Sequence, residues 1–240
     1  MIAAHDPGRS RVHSAEAVSA EISAHVDTIF ASISRIADAA SMLWRVSPQA
    51  RAADVAALRP VILDQLSAHP EFHGCGFVAA VNVLQDRDRH WEWFVRDAID
   101  HHPRSLRLRG NDGGETYAYE LLEGYRRAAA GKDSVTGPFL DFAGADRLIV
   151  SAYRPVVLGD TFVGLAGADL LVSAFESLVR PALRSCASPL ALLNSAGRVV
   201  ASTSADLELL ERVPSERSCA RYEIAPGTAD WTLIEVTPAS

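Results

Sequence analysis

Gly137-Pro138-Phe139-Leu140-Asp141-Phe142, followed by Ile149 to Val157 and then by Thr161 to Leu170, reads as three antiparallel strands in succession. The last of them carries an acid, Asp169, at the end of the apolar run Phe162-Val163-Gly164-Leu165-Ala166-Gly167-Ala168. An unpaired charge buried in such surroundings costs several kcal/mol, so a cation or a hydrogen-bonding group is expected to meet this carboxylate.

Before these strands, Gly74 to Val83 reads as a strand and His90 to Arg96 as its hairpin partner, with Asp86-Arg87-Asp88-Arg89 as a charged turn between them. Thr116 to Ala130 is rich in helix formers and follows the loop Gly110-Asn111-Asp112-Gly113-Gly114. Further back, from the N-cap candidate Ser14 to Trp44, no proline or glycine occurs. Ile22, Val26, Ile29, Ile33, Ile36, Ala40 and Leu43 recur there at spacings of four and three. That predicts an amphipathic helix about 45 Å long. Its apolar stripe fits either packing on the protein's own sheet or a homodimer seam. A second helix is expected from Ala52 to Ser67, closed by Pro70.

After Asp169, a helix from Val172 to Arg184 leads past Pro189 into two hairpins. The first pairs Leu190 to Asn194 with Arg198 to Thr203, and the second pairs Ala220 to Ile224 with Trp231 to Val236 across Pro226-Gly227.

Composition narrows the function. The chain has 240 residues, 48% of them hydrophobic, enough for a real core. Twenty-three Lys plus Arg against thirty Asp plus Glu give −7, which argues against nucleic acid as a direct partner. No signal-peptide pattern or apolar run of membrane-spanning length is found. Cys75, Cys186 and Cys219 are odd in number and far apart, with no C-x-x-C. Neither a disulfide framework nor a zinc site is indicated, and a soluble protein of the reducing cytoplasm is expected.

Several motifs dissolve on inspection. Gly74-Cys75-Gly76-Phe77-Val78-Ala79 matches a dinucleotide fingerprint in letters, but it follows a helix and opens a strand, the reverse of what pyrophosphate binding needs. Its glycines fit relief of crowding at a strand start. His69 and His73 straddle Pro70, and His101-His102 have no acid at ligand spacing, so no metal is expected. Ser195 lacks a nucleophile elbow, and no phosphate-binding loop surrounds Gly131-Lys132. No cofactor is indicated.

Aromatic residues carry more. Trp91 and Trp93 alternate on one strand and so share a face, while Tyr117, Tyr119 and Tyr125 lie along the segment that would cover the sheet. Around a carboxylate, such rings make a box for an amine. Plain core packing is the competing use of the same residues.

The strand run resembles the Cache family of small-molecule sensors, whose ligand lobe ends in G-P-x-x-D, then P-V, then F-x-G-x-A-G-x-D. Here these are Gly137, Pro138 and Asp141, then Pro155-Val156, then Phe162, Gly164, Ala166, Gly167 and Asp169. The resemblance covers most of the chain and is closest to the double form found in chemoreceptors and histidine kinases. It implies an α+β fold: a long N-terminal helix (14–46), a PAS-like antiparallel-sheet lobe (47–171) and a smaller second α/β lobe (172–240).

The amino-acid-sensing members of that family place a tyrosine, an arginine, a tryptophan-tyrosine pair and an aspartate around the ligand. Tyr117, Tyr125 and Asp169 match the two tyrosines and the aspartate, whereas Leu122 and Gly124 stand where the arginine and tryptophan would be. Tyrosine and aspartate hold the ligand amine in that pattern, and arginine and tryptophan its carboxylate. Amines or other cations are therefore favoured here over α-amino acids, unless Arg126 substitutes.

The implied function is non-catalytic binding of a small, nitrogen-containing molecule by Trp91, Trp93, Tyr117, Tyr119, Tyr125, Asp141 and Asp169. A homodimer and a separate output protein, such as a transcription regulator, would complete the system. Two alternatives are an enzyme using Asp141 and Asp169 as acid and base, and a dimerisation module with a vestigial pocket.

Overall fold

A computed structural model describes residues 13–97, 99–106, 117–142 and 146–237. The first helix, α1, spans Ala15–Val46, and the Ser14 side chain accepts a hydrogen bond from the Ala17 amide at 3.2 Å to cap it. Ile22, Val26, Ile29, Ile33, Ile36 and Ala40 are all buried, in one core cluster with strand residues of the same chain. The stripe is therefore consumed within one chain, and its use as a homodimer seam is not supported.

The helix is long because it backs two sheets. Near its start, the Ser19 hydroxyl donates to the Glu223 carbonyl at 2.8 Å, and Ser23 Oγ accepts from the Ala225 amide at 3.0 Å. Further along, the Arg154 guanidinium lies 5.2 Å from the Phe30 ring centre, and the Trp44 and Phe77 rings are 5.4 Å apart.

Next come α2 (Ala52–Val55), a 3-10 turn and α3 (Arg59–Ala68). The single helix expected over this stretch is broken because Pro60 has no amide hydrogen to give and instead sits in the first turn of α3. Strands β1 (Phe72–Ala79) and β2 (Trp91–Arg96) follow, with a short β3 (Pro103–Ser105) whose three exposed residues left no sequence pattern. β1 stops four residues earlier than expected, at a turn in which Asn82 has φ 63°. The expected long helix is a 3-10 turn, Tyr119–Leu121, then α4, Glu123–Ala129. Leu122 separates them with an extended backbone.

Strands β4 (Ser134–Leu140), β5 (Leu148–Leu158) and β6 (Thr161–Leu171) then form the antiparallel run, and the six strands order β3-β2-β1-β6-β5-β4. Helix α5 (Val172–Arg184) leads to a second, four-stranded sheet of order β8-β7-β10-β9, built from β7 (Leu190–Leu193), β8 (Val199–Ser202), β9 (Ser218–Ile224) and β10 (Trp231–Val236).

Strand alternation sorts the first sheet into two faces. Phe77, Val150, Ala152, Ala166, Ala168 and Leu170 join the core around α1. The residues between them turn to the other side, beneath the 117–129 segment.

Candidate functional site

On that other side a cavity of about 380 Å³ opens, within the range of small-molecule sites. All seven residues singled out in the sequence line it: Trp91, Trp93, Tyr117, Tyr119, Tyr125, Asp141 and Asp169. Tyr153, Phe139, Phe142, Ile149, Leu165 and Leu122 are among the other lining residues.

Pairing across the strands explains the hollow. Trp93 on β2 lies opposite Gly76 on β1, Gly76 opposite Gly167 on β6, and Gly167 opposite Tyr153 on β5. Two glycines thus sit in the middle of a row with an aromatic at each end. A Cβ on Gly167 would lie 2.7 Å from Tyr153 Cδ1 and 3.1 Å from Trp93 Cη2, so both rings lean over it. In the neighbouring row, Gly74 pairs with Asp169 and Asp169 with Ser151. At the far edge, β4 and β5 slip register between Thr136 and Phe139. Gly137 makes this slip with φ 112°, a conformation that side chains disfavour.

Asp169 sits on this floor. The Ser151 hydroxyl donates to its Oδ1 at 2.5 Å, which is the hydrogen-bond partner the sequence required. Part of the carboxylate faces the cavity, yet burial dominates and lifts its pKa to about 7. Ser151 lowers it and the nearby Asp141 charge raises it. Among the described residues no lysine, arginine or histidine lines the cavity.

The rings above form a connected wall. Trp91 and Tyr119 meet edge to face at 6.3 Å between ring centres, Tyr119 and Tyr125 at 5.4 Å, and Tyr125 and Phe162 at 5.5 Å. Two of these tyrosines present rings rather than hydroxyls. Tyr119 is buried, donates to the Ala79 carbonyl at 2.8 Å and has a pKa pushed up to about 12, chiefly by burial. Tyr125 accepts from the Val81 amide at 3.1 Å. Tyr117 keeps a raised phenol pKa through burial and the charges of Asp141 and Asp169. Trp93 Nε1 is buried with no hydrogen-bond partner among the described residues. The charged turn locks the cover in place, since Arg89 Nε donates to Glu120 Oε2 at 3.0 Å.

Ser151 and Tyr153 escaped the sequence reading. The signal that could have found them is the alternation of Ile149, Ser151 and Tyr153 along a strand already identified, but their closeness to Asp169 depends on register. Arg126 is exposed and does not line the cavity, so it does not replace the arginine missing at Leu122.

No protein-family model matches this sequence, and no curated protein is similar to it in sequence. Solved structures do share the fold. The ligand-binding domain of the Campylobacter jejuni chemoreceptor Tlp3, in complex with L-valine, has a TM-score of 0.63 at 10% identity over 94% of this chain and 90% of its own. The ligand-binding domain of the Pseudomonas aeruginosa amino acid chemoreceptor PctC, in complex with GABA, has 0.58 at 17% identity, covering 92% and 96%. The extracellular domain of a putative histidine kinase has 0.58 at 13% identity, covering 93% and 92%.

This chain has the fold of the Cache-type sensory domains of chemoreceptors and histidine kinases. The cytoplasmic expectation is corrected here, because the histidine kinase neighbour of the same fold is an extracellular domain, which points away from the cytoplasm. Of the three cysteines, Cys75 lies wholly inside the core, where a free thiol serves as a small apolar side chain and carries no information about redox compartment. No helix among the described residues is long and apolar enough to cross a membrane.

Proposed function

We propose that this domain is a non-catalytic sensor whose first-lobe cavity binds an amine or other nitrogen-containing cation, with Asp169 as its counter-charge. The observation that carries the reading is a carboxylate on the floor of an aromatic cavity, bonded to Ser151 and facing no basic side chain among the described lining residues. Asp141 on the rim is the second acceptor, and Trp91, Trp93, Tyr117, Tyr119 and Tyr125 are the walls. Structures of the same fold hold L-valine and GABA, both amines, which supports the class of ligand. Leu122 and Gly124, in place of arginine and tryptophan, favour amines without a carboxylate.

Passage of the bound state to the second lobe is supported by the elements that touch both. Asn194 Nδ2 donates to the Gly137 carbonyl at 2.9 Å, the Val135 amide donates to Thr228 O at 3.2 Å, and Arg127 on α4 pairs with Asp230. These contacts tie β4 and α4, which line the cavity, to the turn that follows β7 and to the turn between β9 and β10.

A thermal-shift screen of amines, amino acids, quaternary ammonium compounds and carboxylates tests the reading. At a hundredfold over its dissociation constant a ligand adds about 2.7 kcal/mol, a shift of roughly 5–10 °C for this size. A response to carboxylates alone, or an amine response that survives Asp169→Asn, refutes it.

The enzyme reading keeps one favourable observation, two carboxylates sharing a cavity with one pKa raised towards neutrality. Steady turnover of a bound amine, abolished by Asp141→Asn, would establish it.

A further inference from the structure

Tyr153 is wedged between two glycines that have no conformational reason to be glycine. Neither Gly124 nor Gly167 has positive φ. A Cβ on Gly124 would lie 2.2 Å from Tyr153 Cε2 and 2.3 Å from Cδ2, while one on Gly167 would lie 2.7 Å from Cδ1. One edge of the ring therefore lies against helix α4 and the other over strand β6, and a side chain at either position would have to displace it. The ring stands where a larger residue at position 124 would reach.

The hydroxyl end of Tyr153 keeps company with the polar floor. Burial and then the charge of Asp169 raise the phenol's pKa, Ser151 hydrogen bonding lowers it, and Tyr117 and Asp141 raise it further. Tyr153 and Asp169 stand at diagonal positions of paired strands, Tyr153 opposite Gly167 and Asp169 opposite Ser151, and both line the cavity, with Trp93 leaning in from the opposite side of Gly167.

We infer that Tyr153 is the specificity-determining residue of this cavity: its ring, held by Gly124 and Gly167, closes the inner end, and its hydroxyl shares the ligand's ammonium hydrogens with Asp169. The inference rests on the amine reading above and sharpens it. An ammonium with N–H bonds can donate to the carboxylate and to the phenol oxygen together. A quaternary ammonium has no hydrogen to donate and receives only charge and ring contact. The site accordingly selects primary amines on an apolar or aromatic body.

Calorimetric titration of 2-phenylethylamine and its N,N,N-trimethyl analogue into the wild type and Tyr153→Phe tests this. Phenylalanine keeps the ring and removes only the hydroxyl. The wild type should prefer the primary amine, and Tyr153→Phe should lose about tenfold in affinity for it, the effect of one hydrogen bond to a charged group, with the trimethyl compound unchanged. Equal losses for both compounds, or no loss for either, overturn the inference while leaving the amine reading intact. A wild type that binds neither compound overturns both. The wedge has its own readout: Gly124→Ala should lower the melting temperature more in the wild type than in a Tyr153→Ala background, and equal losses would remove the ring from its assigned place.

Discussion

The two sheets of this molecule are backed by the same helix and treat their second faces in opposite ways. In the smaller sheet, all four residues of β7 are buried. Leu190 and Leu192 join the core shared with α1, whereas Ala191 and Leu193 join Val199, Leu207, Val213, Ile234 and Val236 in a separate apolar cluster. The segment after β8 supplies Leu207 and Val213 and fills that face. In the larger sheet the corresponding face carries glycines in mid-row, aromatics at the ends and a carboxylate, and the segment over it leaves a hollow. One lobe has its outer face filled by packing, and the other leaves a cavity there. The difference lies in what each sheet places at alternate positions and in the covering segment, with α1 common to both.

That contrast can be broken most violently at the shared helix. Ile29→Asp combined with Ile33→Asp places charges at positions buried in the common core, so the protein should lose its cooperative melt in far-ultraviolet circular dichroism, each charge costing several kcal/mol. A folded double variant of smaller mass in light scattering would restore the intermolecular seam.

Leu193 and Leu165 sharpen the comparison, since both are 2% exposed but Leu193 is enclosed by apolar neighbours and Leu165 borders the cavity. Leu193→Ala should cost about 2–5 kcal/mol in denaturant unfolding. Leu165→Ala should cost about half that, because fewer packed atoms surround it. Equal costs would mean that the hollow is closed in solution.

Acid dependence gives the next effect. The Asp169 pKa is raised to about 7 in the folded state against an ordinary value of 3.8, so the folded chain holds a proton that the unfolded chain has released between these values. The stabilisation from this proton is full below about pH 4 and is lost as pH rises through 7, at up to about 1.4 kcal/mol per pH unit. Asp169→Asn should flatten that part of the melting profile and stabilise the ligand-free protein at pH 8. A profile that the substitution leaves unchanged would place Asp169 in ordinary solvent. Amine affinity moves in the opposite sense and should rise with pH up to about 7, as the carboxylate ionises.

Smallest of all, Phe142→Ser at the cavity mouth should alter stability by no more than about 0.5 kcal/mol, because its side chain is 72% exposed.

Much of this was present in the linear pattern. The unbroken stripe from Ile22 to Ala40 determined a long amphipathic helix. Proline, glycine and apolar runs determined the three strands that end at Asp169, and Trp91 and Trp93 had to share a face because side chains alternate along a strand. Local periodicity also required that a carboxylate in an apolar strand find a partner. It could not say which one.

Only the tertiary structure decided that the stripe faces its own sheets, since heptad spacing is the same for an internal core and for a dimer seam. Cross-strand register brought Ser151 to Asp169 from 18 positions away. It also set Gly76 and Gly167 in one row between Trp93 and Tyr153. Those pairings come from packing between distant segments, which no local window contains, and the shape of the cavity follows from them.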